Sequence, residues 1–169
     1  IVNNFFVAEK AFSEGLELLA DSPEEALTKF TEAFSLYQSI NHRAMEGLAL
    51  FYSGQVYNNL GEKEKALSYY EQALVIKREV GEKIGENWIL NEIGNFYRQQ
   101  NKYTEALNYY QQALTIAELF PERPELTDIT NNITYTKAEQ LYNEGMTLHE
   151  KGSSESLQQA IVKFKEALT

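Results

Sequence analysis

Cysteine is absent from this chain of 169 residues. Its absence excludes a disulfide framework, a thiolate metal site and a cysteine nucleophile. Punctuation is scarce as well: three prolines and nine glycines make long helices the expectation. Positive charge is also short, with 15 basic side chains against 25 acidic ones and a formal net charge of -10. A surface that grips nucleic acid or an anionic membrane needs a basic stripe, and this balance argues against both partners. No apolar run approaches the ~18–20 residues that span a bilayer. The opening residues Ile1-Val2-Asn3-Asn4-Phe5 carry no initiator Met, basic region or small-residue cleavage site. They read as the edge of a longer chain rather than as a signal peptide.

Internal repetition is what the chain has in abundance. Lys65-Ala66-Leu67-Ser68-Tyr69-Tyr70-Glu71-Gln72-Ala73-Leu74 aligns with Glu105-Ala106-Leu107-Asn108-Tyr109-Tyr110-Gln111-Gln112-Ala113-Leu114, forty positions on. Forty positions back stand Glu25-Ala26-Leu27-Thr28-Lys29-Phe30-Thr31-Glu32-Ala33-Phe34. An upstream half repeats at the same interval, Ser53-Gly54-Gln55-Val56-Tyr57-Asn58 against Ile93-Gly94-Asn95-Phe96-Tyr97-Arg98. A looser fourth copy holds Gly145 and then Ala160-Ile161-Val162-Lys163-Phe164-Lys165-Glu166-Ala167-Leu168, with its stripe displaced by 54 residues instead of 40. Its first helix matches the first unit best, Ala138 to Gly145 against Ala8 to Gly15.

Each unit reads as two helices. Ala66, Tyr70 and Ala73 recur at spacings of four and three, which is one stripe of an α-helix. Short polar turns, Asn59-Leu60-Gly61-Glu62 and Gln100-Asn101-Lys102, make the paired helices antiparallel neighbours, and Gly61 suits a left-handed helix end. Ser22-Pro23-Glu24-Glu25 has the form of a capping box with proline at the first helical position. Helices are expected at roughly 5–20, 23–39, 43–60, 63–80, 83–100, 103–120, 125–151 and 155–169. Small residues facing rings would allow close approach: Gly54 and Gly94 on first helices, Ala66 and Ala106 on second helices. Tyr57, Tyr70, Tyr97 and Tyr110 are expected to fill the wedges between units.

These residues resemble the tetratricopeptide repeat family. Gly54 and Tyr57 with Ala66, Tyr70 and Ala73 carry the resemblance, as do Gly94 and Tyr97 with Ala106, Tyr110 and Ala113. Gly15 with Ala26, Phe30 and Ala33, and Gly145 with Ala160, Phe164 and Ala167, extend it over nearly the whole chain. The period of 40 exceeds the family's usual ~34 and resembles a long-period subgroup found in kinesin light chains and in bacterial and cyanobacterial proteins. The resemblance implies an all-α fold: a right-handed superhelical solenoid of about four antiparallel helix pairs. The units would run over about 5–40, 43–80, 83–120 and 125–169, one array across 1–169, expected to be a segment of a larger protein.

Reactive groups are thin. His42 and His149, the two histidines, fall on different units, and Gly81-Glu82-Lys83-Ile84-Gly85 has neither the spacing nor the strand of a phosphate loop. No enzyme activity, metal or cofactor is expected. The better candidate is the face of the first helices, which in a solenoid of helix pairs line a concave groove. Trp88, Asn91, Asn95 and Arg98 share one stripe, and the helix before contributes Phe51, Gln55 and Asn58. The fourth unit adds Tyr142, Met146 and His149, and the first adds Glu9, Phe12, Leu16 and Leu19. Side-chain amides offer donors and acceptors to an extended peptide, Arg98 could clamp a carboxylate, and Trp88 and Phe51 could anchor apolar groups or simply pack between repeats. The roles of Asn95 and Arg98 follow from the family resemblance. The expected function is a cytoplasmic protein–protein interaction module that binds a partner peptide or helix. Two other readings stand beside it: a regulatory or spacer array of a multidomain signalling or protease-linked protein, and a scaffold that self-associates through its end faces.

Overall fold

Residues 2–167 are described by the computed structural model, in which eight α-helices and no strand occur among the described residues. They are α1 (Val2–Leu18), α2 (Pro23–Ser39), α3 (Arg43–Asn59), α4 (Lys63–Glu79), α5 (Lys83–Gln99), α6 (Tyr103–Ala117), α7 (Glu125–Glu150) and α8 (Ser154–Ala167). Leu168, which closes the fourth copy of the repeat, lies outside the described residues, as do Ile1 and Thr169. Helices pack on their chain neighbours, α1 on α2, α2 on α3, α3 on α4, α6 on α7 and α7 on α8. The fold is an all-α repeat of helix pairs, as the stripes require. Two compact units divide the chain, residues 1–93 and 94–169, the division falling inside α5.

The turns explain the period. Helices α2, α3, α4 and α5 are each 17 residues long and start at residues 23, 43, 63 and 83, so helix plus turn advances by a fixed step. Four turn residues hold that step with a positive φ: Asn41 at 55°, Gly61 at 78°, Gly81 at 71° and Asn101 at 59°. Glycine has no Cβ to obstruct this conformation, and asparagine tolerates it better than other side chains do. Each turn closes in the same way. Glu62 N–H donates to the Tyr57 carbonyl at 2.9 Å and Gly61 N–H to that of Asn58 at 3.1 Å, a pairing repeated at His42, Glu82 and Lys102. This is the Schellman closure, which satisfies carbonyls that the helix end would otherwise leave bare. The next position in the series is Pro121, whose ring fixes φ near -65° and forbids the turn. Helix α6 therefore stops at Ala117, three residues short of the expected end, and α7 runs for 26 residues before the fourth copy regains its pattern.

Two expectations are corrected. Ser22 stands at the N-cap of α2 but makes no side-chain cap hydrogen bond; the Ala26 amide bonds to its backbone carbonyl at 2.9 Å instead. Tyr57 and Tyr97 find their ring partners within a helix pair and not between units. Tyr57 lies on Tyr69 with ring centroids 5.0 Å apart, and Tyr97 stacks on Tyr109 at 5.4 Å, each inside its own helix pair. Tyr70 and Tyr110 close against Gly54 and Gly94 of their own pairs, and the Tyr70 hydroxyl also lies in the field of Glu92 on α5, the next pair. A Cβ added at Gly94 would stand 2.5 Å from the Tyr110 ring, so the helices could not approach this closely with any larger residue there. A ring that joins successive pairs is Tyr52 of α3, set 5.4 Å from Phe12 and stacked 5.5 Å from Phe30.

Candidate functional site

In the first unit, α3 and α5 enclose a recess of about 290 Å³ lined by Phe51, Tyr52, Gln55, Trp88, Asn91 and Glu92. The spacing of three and four along each helix turns these residues to one side. Four of the expected groove residues therefore converge here: Phe51, Gln55, Trp88 and Asn91. Their roles differ from one another. Phe51 is 5% exposed and packs on Tyr52 and Tyr70, so it forms a floor and not a protruding anchor. Trp88 is 37% exposed and presents its indole to solvent. Asn58, on the turn after Gln55, is half-buried and falls outside this lining. Tyr52 and Glu92 complete the site; each stands one position beyond an expected groove residue, Phe51 or Asn91, and which of two adjacent positions faces the recess depends on how α3 and α5 meet.

In the second unit, the Asn95 amide oxygen accepts the Tyr110 hydroxyl at 2.7 Å, which commits it to holding a buried ring. Arg98 Nε lies 3.7 Å from a Glu139 carboxylate oxygen, with both side chains partly exposed. Tyr142 lines a largely apolar cavity of about 620 Å³ with Ala138, Glu139, Met146, His149, Phe164 and Ala167. In the first unit, Phe12 is buried and Glu9 accepts the Tyr37 hydroxyl, so these two residues serve the core of their own helix pair.

Charges are also built into the packing, which the stripe pattern did not reveal. Glu46 and Glu86, forty positions apart, are both buried near helix starts. Arg43 bonds Glu46 at 2.7 Å, and Lys83 and Arg78 bond Glu86 at 2.8 and 2.9 Å. Burial pushes the Glu86 carboxyl up, but hydrogen bonds from Lys83 and Arg78 outweigh it and hold the group below its ordinary value. A depressed carboxylate contributes stability above its unfolded value and loses it as pH falls. Lys77 is 2% exposed, paired with Glu82 and donating to the Ala44 carbonyl at 3.1 Å. Among the described residues no group of three or more acidic or histidine side chains is placed to hold a metal ion. No helix there is long and apolar enough to cross a membrane.

Family models described as tetratricopeptide repeat match residues 49–79 and residues 88–119. These two stretches are tetratricopeptide repeats. The first match spans most of α3 and all of α4, and the second spans most of α5 and all of α6, the two regular units of the series. Among solved structures the chain is similar to a STAND protein (signal transduction ATPase with numerous domains) with a tetratricopeptide repeat sensor from Pyrococcus horikoshii. That likeness has 22% identity and a TM-score of 0.65, and it covers 85% of this chain but 23% of the other. The chain is also similar to BtubC (BKLC) from P. vanneervenii, at 14% identity and a TM-score of 0.50, covering 98% of this chain and 88% of that one. Both likenesses are likenesses of fold. No curated protein matches the chain in sequence. Tetratricopeptide repeats are in general protein-binding modules and not catalysts.

Proposed function

We propose that this tetratricopeptide-repeat chain captures a peptide or helix of a protein partner on the α3–α5 face, with no bond made or broken and no cofactor or metal used, in the cytoplasm. The convergence of Gln55, Trp88 and Asn91 around one recess supports this reading most directly. An exposed indole supplies apolar contact at low entropic cost, and two amides supply donors and acceptors beside it. Asn58 stays in the proposal as a further contact of this face, and Asn95, Arg98 and Tyr142 stay as proposed contacts on the second unit's own surface. The Asn95 oxygen is already spent on Tyr110, and a partner carboxylate would have to displace Glu139 from Arg98. Peptides selected from a random-sequence display library provide the test. Changing Gln55 and Trp88 together to alanine is expected to weaken them about tenfold or more with helicity unchanged by circular dichroism. Unchanged affinity would remove the reading.

A second reading has its own observation. In the first helix pair, Phe12 and Phe30 lie 5.5 Å apart and receive Tyr52 from the next helix. In the fourth, Tyr142 and Phe164 lie 5.6 Å apart in the matching places, and the 620 Å³ cavity stands beside them. We infer that the α7–α8 face docks a helix carrying an aromatic side chain, in self-association or in a longer array of a multidomain protein. The STAND protein, whose repeats are described as a sensor, is an example of the latter arrangement. Light scattering across concentration tests self-association: mass should rise with concentration, and Tyr142→Ser should abolish the rise. A mass independent of concentration would leave a foreign helix as the occupant.

A further inference from the structure

We propose that the α3–α5 recess selects a basic side chain, an arginine or lysine, of the bound peptide. The proposal rests on the peptide-capture reading and adds the chemistry of the residue bound.

The lining sets that chemistry. Glu92 is the charged residue among those that line the recess, and it stands with the rings of Phe51, Tyr52 and Trp88 and the amides of Gln55 and Asn91. Carboxylate, amide oxygen and aromatic face are three groups that favour a cation. The surroundings have the same sign: residues 1–93 hold fifteen acidic and eight basic side chains, whereas residues 94–169 hold ten and seven. Size points the same way. A recess of about 290 Å³ is at the small end of ligand pockets, on the scale of one long side chain. A guanidinium stacks flat on an indole and still donates to a carboxylate at its edge, which suits Trp88 beside Glu92.

The neighbouring repeat supplies an independent observation. Tyr110 is satisfied by Asn95 at 2.7 Å. Its counterpart Tyr70, forty positions earlier and 2% exposed, has a hydroxyl with no hydrogen-bond partner among the described residues. The residue in the place of Asn95 is Gln55, longer by one methylene, and it lines the recess. A buried orphan hydroxyl needs a reason. Here the amide that would cap the tyrosine is placed at the recess instead, as expected of a group kept for a ligand.

Trp88 is the one tryptophan, so its emission reports on this recess without labelling. The probes are three blocked pentapeptides, acetyl-Gly-Ala-X-Ala-Gly-amide, with X as arginine, leucine or glutamate, titrated while Trp88 fluorescence and the amide shifts of α3 and α5 are followed. The arginine probe is expected to bind roughly tenfold tighter than the other two, and Glu92→Gln is expected to remove about that advantage. Raising salt from about 0.01 M to about 1 M should weaken the arginine probe and spare the leucine one, a check that needs no variant. Leucine or glutamate probes binding as tightly as arginine, or an arginine advantage unchanged by Glu92→Gln and by salt, would overturn the cation preference and leave peptide capture standing. If no probe moves Trp88 or those amides, peptide capture at this face falls with it.

Discussion

Phe30→Ala is expected to cost about 4 kcal/mol, and Phe164→Ala less than half as much, although the two residues hold the same place in the repeat. Phe30 is 0% exposed. Its ring closes on Gly15, where a Cβ would stand 2.7 Å away, and touches Phe12 on one side and Tyr52 on the other. Truncation there removes a whole ring from a site walled by three helices, so little can relax into the cavity. Phe164 closes on Gly145 in the same manner, at 2.6 Å, but it is only half-buried and has Tyr142 for its ring partner, with no counterpart of Tyr52 among the described residues. Its lining is already open, so less packing is lost. Native-state hydrogen exchange of α2 and of α8, followed separately in each variant, reads the two losses without assuming one cooperative transition. Equal losses would mean that α7–α8 is as fully packed as the first pair, and the aromatic slot would not exist.

Glu82→Ala is expected to cost about 3 kcal/mol, whereas Lys77→Met should stay within about 1 kcal/mol of the unchanged protein. The contrast follows from which charge is left behind. Lys77 is buried and Glu82 is partly exposed, so removing Glu82 strands a cation that keeps only the Ala44 carbonyl. Replacing Lys77 leaves Glu82 able to turn to water and fills the same channel with an unbranched apolar chain. That channel is narrow. A Cβ at Gly85 would lie 2.9 Å from Lys77 Cε, so a branched replacement would overpack where methionine does not. Urea unfolding of both variants decides the matter. A Lys77→Met variant as weak as Glu82→Ala would show that the charge itself, and not the relief of its burial, holds α4 to its neighbours.

The helix pairs were legible because their signal is a spacing. Ala66, Tyr70 and Ala73 must share a face whatever surrounds them, and their equivalents are fully or nearly fully buried in the first three units, whereas in the fourth only Ala160 is and Phe164 and Ala167 are half-buried. The turn after α3 could be read from Gly61, and the break at Pro121 from the fixed φ of proline. The partners of each ring were less legible. A tyrosine stripe specifies that rings are buried, not which helix they face, so Tyr57 and Tyr97 were assigned to the wrong interface and Tyr52 was missed. Lys77 was hidden for a different reason. Positions 37, 77 and 117 hold Tyr, Lys and Ala, so the repeat carries no rule there. The available signal was Gly47 and Gly85, two helix-interior glycines outside the repeat motif, one on each flanking helix. The recess was half visible: Gln55, Trp88 and Asn91 follow from helical spacing, but the placement of Glu92 beside Tyr52 depends on how two helices meet.

The left-handed residues at 41, 61, 81 and 101 fall both within and between helix pairs, with one closure for both kinds of turn. Gene duplication can therefore lengthen such a chain with few constraints. A crossover that inserts or deletes a whole pair rejoins identical turn geometry at either boundary, so no new loop has to be selected. An insertion of a single helix would keep the turns but set a glycine-bearing helix against another of its kind, ring places empty. The backbone tolerates growth in single helices, the side chains only in pairs, and at Pro121 the shared turn is lost.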